Sequence, residues 1–328
     1  MLIIVNCVIM FCLLKKRLNL QLVMIKININ NETSQLQTVV VGIAEDFGGV
    51  PLIKDCYDPK SKEHVLSGTF SNSDLCVTQM SEFIKILERH DVQVLRPVNI
   101  SGVNQIFTRD IAFVIEDKLI IPNIIKERSE ELNAISYLFD MIDKSTTIKT
   151  PKGVRIEGGD VIVCNEYIFI GYSEQEDFGK YKVSRTNRKG VEFLTKFFPH
   201  KKIKGFELNK SDNCSRDNSL HLDCCFQPIG KDMAIIYKDG FKKHKDVDFL
   251  VHFYGAENLI EVDKEEMYNM NSNIFSISDN VIVTEKSFTR LNKELIRRGF
   301  LLEKISYSEI AKMSGLLRCS TMPLERKS

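Results

Sequence analysis

The stretch GGDVIVCNEYIFIG (residues 158–171) contains two short runs of apolar and β-branched residues on either side of a polar turn. Such runs around a short turn are typical of a β-hairpin. The same pattern occurs at DIAFVIEDKLIIP (110–122), LHLDCCFQPIGKDMAIIY (220–237) and NIFSISDNVIVTE (273–285). The hairpin is therefore a repeated unit of the chain, and a repeat of this kind decides the fold.

Each hairpin is followed by an amphipathic helical pattern and then by one further strand. The predicted helices cover residues 126–142, 186–198, 241–254 and 287–299, and the strands that follow them cover 145–150, 201–208, 258–263 and 300–307. The N-terminal part supplies a strand (36–44), a helix (71–91) and a closing strand (92–97). Its missing hairpin strand has to come from the C-terminus, from the segment that carries Cys319.

Five strand-strand-helix-strand units thus span residues 36–324. No unit can bury its sheet face alone, so the units are expected to close around a common axis. This predicts an α/β fold, a five-fold pseudo-symmetric propeller of ββαβ modules around a central active site. An open α/β sheet with the same elements is the alternative.

Composition and charge narrow the partners. The 328 residues include 45 Lys and Arg against 44 Asp and Glu, a net charge of +1, so we expect no nucleic-acid partner and no anionic membrane surface. The nine cysteines are scattered without C-x-x-C spacing, which disfavours a zinc site or a disulfide framework. Free thiols suit a reducing compartment, and the predicted location is cytoplasmic.

The first 23 residues differ from the rest. An apolar run (2–14) precedes Lys15, Lys16 and Arg17, which is the reverse of the charge order in a signal peptide, and the run is short for a bilayer span. It is either a membrane anchor or an apolar extension upstream of the true start. We prefer the second interpretation, which leaves residues 24–328 as a single propeller domain.

Reactive side chains recur where a hairpin begins and in the C-terminal loop. They are Asp110 in FTRD, Glu157 and Asp160 in EGGD, His221 and Asp223 in HLD, and Cys319 in RCSTMP. In a closed ring these positions converge on the axis.

The residue types indicate a chemistry. Cysteine is a good nucleophile as thiolate, which a nearby His221 or Arg318 would favour, and histidine transfers protons near neutral pH. Several carboxylates around a thiolate would repel it unless a cation lies between them. A guanidinium is planar and has five N–H donors, so it can bind several carboxylates at once. Taken singly, each residue has a structural interpretation: Cys319 as a buried apolar residue, and Asp110 or Asp223 as a cap.

The combination FTRD, EGGD, HLD and RCSTMPL resembles the guanidino-group modifying enzymes of the pentein fold, which include arginine deiminase, dimethylarginine dimethylaminohydrolase and glycine amidinotransferase. The resemblance covers residues 36–326 in motif order. It implies Cys319 as nucleophile, His221 as acid and base, and Glu157 as the group that holds the histidine and a substrate nitrogen. The substrate-binding residues that follow from it are Asp110, Asp223, Asp160, Arg128, Arg185 and Arg318.

The expected activity is hydrolysis of the guanidinium of arginine or a related compound, giving citrulline and ammonia, without metal or cofactor. The alternatives are an amidinotransferase, a dimethylarginine dimethylaminohydrolase-like enzyme, and a non-catalytic binding module. The segment TVVVGIAEDFGG (38–49) resembles the amidinotransferase branch. The partner is then a small guanidino substrate, and the oligomeric state stays open, with a homodimer as one option.

Overall fold

The structure is a computed structural model that describes residues 24–327. Within these residues fifteen strands form five sheets of three strands each. The strands are β1 (Leu36–Val41), β2 (Gln93–Leu95), β3 (Phe113–Ile115), β4 (Lys118–Ile121), β5 (Thr147–Lys149), β6 (Val161–Cys164), β7 (Tyr167–Tyr172), β8 (Lys202–Glu207), β9 (Phe226–Ile229), β10 (Met233–Ile236), β11 (Leu259–Glu261), β12 (Phe275–Ser276), β13 (Val281–Glu285), β14 (Leu301–Ile305) and β15 (Thr321–Arg326).

Every sheet has the same topology. The central strand pairs antiparallel with its hairpin partner and parallel with the strand that follows the helix, as β7 does with β6 and β8. We number the sheets as units: unit 1 is β15-β1-β2, unit 2 is β3-β4-β5, unit 3 is β6-β7-β8, unit 4 is β9-β10-β11 and unit 5 is β12-β13-β14. This confirms the predicted five ββαβ modules.

Unit 1 is assembled from both ends of the described chain. Strand β15 pairs antiparallel with β1, with Val41 opposite Thr321, and β1 pairs parallel with β2. Leu36 N donates to Ile277 O over 2.8 Å, which ties unit 1 to unit 5. The C-terminal strand therefore completes the first unit, as expected, but Cys319 lies in the turn just before that strand and not within it.

The helices lie between the second and third strands of their units or in the connections. They are α1 (Pro59–Leu66), α2 (Ser73–Arg89), α3 (Glu131–Ala134), α4 (Leu138–Met141), α5 (Gln175–Lys180), α6 (Arg188–Phe197), α7 (His244–Tyr254), α8 (Lys264–Tyr268), α9 (Thr289–Arg297) and α10 (Ser308–Ala311). Helix α2 begins where the Asn72 side chain accepts from Leu75 N at 3.0 Å, a regular N-cap.

One predicted helix is wrong as a continuous element. Residues 126–142 form a 3₁₀ turn (Lys126–Arg128) followed by the short helices α3 and α4. The side chain of Arg128 is buried and ion-paired in the interior of the molecule. These ion pairs hold the 3₁₀ turn inward, and tertiary contacts of this kind override the helical periodicity of the segment.

Apolar side chains of the helices pack against those of the strands in a buried core. Phe83 of α2 meets Phe275 and Tyr307 edge-to-face, with ring centroids 5.9 and 5.7 Å apart, and all three are buried. These contacts join units 1 and 5, so the core runs from unit to unit.

Within residues 24–327, none of the helices combines the length and the apolar character that a bilayer crossing requires. The apolar stretch at residues 1–23, with both of its interpretations, lies outside the described residues.

Candidate active site

The turns before the first strand of each unit are joined by hydrogen bonds into a circle. Residues that lie one to three positions before the first strand of each unit thereby come together, as the repeat predicted. The five links, in order around the ring, are Arg109 N to Cys319 O (3.1 Å), Gly159 N to Asp110 Oδ1 (3.1 Å), Leu222 N to Asp160 Oδ1 (3.0 Å), Ser272 Oγ to Asp223 O (3.2 Å) and Cys319 N to Asn273 Oδ1 (3.0 Å).

Cys319 lies at this centre with 2% of its surface exposed. Its sulfur is 3.2 Å from Asn273 Nδ2 and 3.6 Å from Asp223 Oδ2. Burial raises the pKa of the Cys319 thiol well above its usual range, and the charges of Asp223 and Asp110 raise it further. The uncharged thiol is therefore favoured until a cation enters between these carboxylates.

His221 is held by two carboxylates. Its Nε2 lies 3.0 Å from Glu157 Oε2, and its Nδ1 lies 3.6 Å from Asp110 Oδ1. Burial lowers the pKa of His221, but the neighbouring carboxylates, Asp110 first, outweigh burial and raise it overall. The site thus favours the imidazolium form, which can act as a proton donor.

Two buried arginines form ion pairs with these carboxylates. Arg128 donates to Asp110 Oδ2 over 2.6 Å and to both carboxylate oxygens of Glu131 over 2.7 Å. Arg185 donates to Glu157 Oε2 over 3.2 Å. Burial raises the pKa of Glu157, but Arg185, His221 and Arg128 together bring it well below its usual range. Glu157 is therefore ionised.

Arg318 is fully buried, and the contacts of its guanidinium are with protein groups. It donates to Asp223 Oδ2 over 2.7 Å, to Glu32 over 3.2 and 3.0 Å, and to Val161 O over 2.9 Å. The resemblance implies that Arg318 is a substrate-binding residue, and in this structure its guanidinium pairs with Asp223 and Glu32.

Asp160 is buried in the same layer. Its Oδ1 accepts from Leu222 N, in the turn between His221 and Asp223. This contact sets the position of the turn that presents the histidine.

Three buried polar atoms of this layer have no hydrogen-bond partner among the described residues: Glu157 Oε1, Asp160 Oδ2 and His221 Nδ1. Buried polar atoms are nearly always paired, so the carboxylate oxygen Glu157 Oε1 can accept from a ligand with N–H groups, whereas Nδ1 of an imidazolium can only donate.

The same three groups could also be considered as metal ligands. One ligand atom from each of Asp110, Glu157 and His221 lies within 4.8 Å of the others. Arg128 and Arg185 already pair with the two carboxylates, and a divalent ion would compete with both guanidinium groups. We therefore assign no metal to this site.

The sequence prediction missed Asn273. It lies two residues before the first strand of unit 5, and Asp110, Asp160 and Asp223 lie one to three residues before the first strands of units 2, 3 and 4. The signal was the register of the repeat, because NSNIFS (271–276) begins the fifth hairpin as HLD begins the fourth. A search for charged or nucleophilic residues passes over an amide.

A cavity of about 230 Å³ lies next to this centre. Its lining includes Phe47, Tyr57, Asp58, Glu131 and Met313. Glu131 is the partner of Arg128, and Tyr57 O accepts from Arg185 over 2.9 Å, so the cavity adjoins the buried arginines.

Residues 69–326 match the family described as N,N dimethylarginine dimethylhydrolase, eukaryotic. YkgA, an uncharacterized protein of Bacillus subtilis (strain 168), is 32% identical over 250 residues, which cover 76% of this chain and 79% of YkgA. An arginine deiminase of Streptococcus pneumoniae (strain Hungary19A-6) is 26% identical over 211 residues, 53% of this chain and 47% of the deiminase, so this match spans about half of the deiminase.

A solved structure has the same fold. The N-terminal domain of ArgZ, an arginine dihydrolase from cyanobacteria, superposes with a TM-score of 0.72 over 89% of this chain and 98% of the ArgZ domain. The two sequences are 17% identical, so this likeness is one of fold.

Proposed function

The chain belongs to the family of eukaryotic N,N dimethylarginine dimethylhydrolases, within the pentein guanidino-group modifying enzymes, and from this premise we propose that it hydrolyses the guanidinium of a small arginine-type compound through a covalent adduct on Cys319. One observation supports this above all. A thiol, an imidazole and three carboxylates from units 1 to 4 meet in one buried layer.

Substrate binding is assigned to the carboxylates. A guanidinium bound between Asp110, Asp223 and Glu157 directs its N–H groups at their carboxylate oxygens. One of these is Glu157 Oε1, which has no hydrogen-bond partner among the described residues. The positive charge of the guanidinium lowers the pKa of the Cys319 thiol, which burial, Asp223 and Asp110 raise in the free protein. Substrate binding thus favours loss of the thiol proton to solvent, and the thiolate that forms is the nucleophile.

The first half-reaction forms the adduct. The thiolate of Cys319 attacks the central guanidinium carbon and makes a C–S bond. The imidazolium of His221 gives its proton to the departing nitrogen as the C–N bond breaks. An amine leaves, a cationic amidino-thioether stays on the sulfur, and His221 is neutral.

The second half-reaction uses water. The neutral imidazole of His221 takes one proton from the water that attacks the same carbon, the C–S bond breaks, the thiolate returns, and the remaining hydroxyl proton passes to solvent. The product is a ureido compound, which is citrulline if the substrate is arginine or its Nω-dimethylated form. Arg128 and Arg185 are proposed to bind a substrate carboxylate. Each guanidinium would then donate both to the substrate carboxylate and to the protein carboxylate that it contacts now.

The test is to incubate the protein with arginine or with Nω,Nω-dimethylarginine in separate reactions without an amine acceptor. Citrulline is the expected product from whichever of the two compounds is the substrate. Release of ammonia or of dimethylamine then identifies the departing group. Cys319→Ser, assayed alongside, is expected to fold and to lose turnover at least about 1000-fold, since it lacks the nucleophile.

Two results contradict the proposal. Product that forms only when glycine is added, as guanidinoacetate with ornithine, shows amidino transfer in place of hydrolysis. Unchanged turnover in Cys319→Ser removes the covalent mechanism. Mass spectrometry of the protein quenched with substrate gives the adduct mass on Cys319 directly.

A further inference from the structure

Asn273 is the unit-5 counterpart of the three aspartates that line the site. It is fully buried, and its side chain contacts the turn that carries Cys319. In units 2, 3 and 4 the equivalent residue is Asp110, Asp160 or Asp223. Only in unit 5 does the repeat place an amide there.

The hydrogen bonds of Asn273 determine which end of the amide faces the sulfur. Its Oδ1 accepts from Leu316 N at 3.2 Å and from Cys319 N at 3.0 Å. Both partners are backbone donors, so the atom that faces them is the oxygen. The nitrogen, Nδ2, therefore lies on the other side, 3.2 Å from Cys319 Sγ.

We propose that Asn273 is a further catalytic side chain of this site, whose amide N–H stabilises the Cys319 thiolate while its carbonyl oxygen holds the turn that presents the sulfur. The inference rests on the proposed function, in which Cys319 reacts as a thiolate. It assigns to Asn273 a charge-assisted hydrogen bond that the other four units do not supply.

Electrostatics explain why an amide stands here. Asp223 lies 3.6 Å from the sulfur, and Asp110 also acts on the thiol. Another carboxylate at position 273 would face the sulfur at about the distance of Nδ2 and repel the thiolate. Compared with an aspartate, asparagine keeps one oxygen, which accepts from the backbone N–H groups of Leu316 and Cys319. In place of the second carboxylate oxygen it has an N–H donor.

The test uses Asn273→Asp, which keeps the bracing oxygen and exchanges the donor for a negative charge. The readout is the rate at which iodoacetamide alkylates Cys319 at pH 8 without substrate, measured by peptide mass spectrometry. Cys214 is exposed and serves as the internal reference in each sample. The Cys319-to-Cys214 rate ratio is expected to fall at least about tenfold, because alkylation follows the thiolate fraction.

Asn292→Asp is the matched control. Asn292 on α9 is also buried, with both ends of its amide hydrogen-bonded to Thr284 and Glu285, and neither partner is Cys319. This variant should keep the wild-type ratio. Asn273→Ala removes the donor without adding charge, should lower the ratio about threefold or more, and carries the test if the aspartate variant does not fold.

An unchanged ratio in folded Asn273→Asp, or an equal fall in Asn292→Asp, would overturn the assignment. Because no substrate is present, the two proposals fail separately. A lowered ratio in a protein that turns over no guanidino compound supports the role of Asn273 and rejects the proposed function. Normal turnover with an unchanged ratio supports the proposed function and rejects the role of Asn273.

Discussion

Arg318 Nη1 lies 2.7 Å from Asp223 Oδ2, the carboxylate oxygen that also lies 3.6 Å from the sulfur of Cys319. The residue next to Cys319 in sequence thus contacts the candidate site through a carboxylate of another unit. Glu32, from the N-terminal segment, holds the same guanidinium from a further side. The side chains of the candidate site are therefore supported by buried ion pairs around them.

Removal of this support should cost much stability. Arg318→Met leaves Glu32 and Asp223 buried without their partner, and a broken buried pair typically costs about 3–5 kcal/mol. Chemical denaturation should give a fall in the free energy of unfolding of that size. Arg297→Met is the control, because Arg297 is 69% exposed and pairs with Glu294 at the surface, where about 1 kcal/mol or less is expected. Equal losses in the two variants would contradict a supporting role for Arg318.

Acid stability should depend on Glu32. Burial raises its pKa, but Arg318 and Arg109 lower it from 4.5 to about 2. A carboxylate with a lowered folded-state pKa contributes stability that is present above its unfolded value and is lost as the pH falls through about 2. Glu32→Gln should therefore be less stable than the wild type at pH 7, and the difference should narrow between pH 4.5 and 2. Thermal unfolding across this range measures it, and a pH-independent difference would count against it.

Gly159 should tolerate no side chain. A Cβ at this position would lie 2.7 Å from His221 Nδ1 and 2.8 Å from Asp110 Oδ1. Gly159→Ala is expected to lower kcat at least about 100-fold, because a displacement of about 1 Å at a reacting group has effects of this size. Gly179→Ala is the control: its Cβ would meet nothing within 4 Å, and it lies in α5, so stability should be unchanged or rise by up to about 1 kcal/mol. Full activity in Gly159→Ala would be inconsistent with the site geometry.

The pH profile should report His221. Asp110 and the other carboxylates raise the pKa of His221 against the lowering effect of burial, so the imidazolium persists to higher pH. Glu157→Gln removes one of these charges, and the alkaline limb of kcat/KM should move to lower pH by about one unit. Glu166→Gln, in an exposed hairpin turn where Glu166 pairs with Lys202, should leave the limb in place. A limb that does not move in Glu157→Gln would show that another group controls it.

The C-terminal strand should be required for folding as well as for chemistry. A chain that ends after Ser320 loses β15 and leaves one edge of β1 unpaired. We expect loss of the cooperative thermal transition, observed by circular dichroism. A chain that ends after Arg326 keeps the strand and should unfold near the wild-type temperature. A cooperative transition in the shorter chain would show that β15 is dispensable.

The sequence by itself determined the repeated unit, the five-fold arrangement and most of the side chains that lie together in the candidate site. Strand and helix periodicity are local properties, and hairpins such as 158–171 recur in register, so both can be read along the chain. The position of Cys319, His221 and the aspartates where hairpins begin follows from that register.

Only the tertiary structure decided how these residues are paired. Glu32 pairs with Arg318, and Asn273 contacts Cys319. The segment 126–142 does not form a continuous helix, and its Arg128 pairs with Asp110. These partners come from distant parts of the chain. Which of them meet depends on the closure of the ring and on the low dielectric of its centre, where an unpaired charge is costly, and neither is a local property of the sequence.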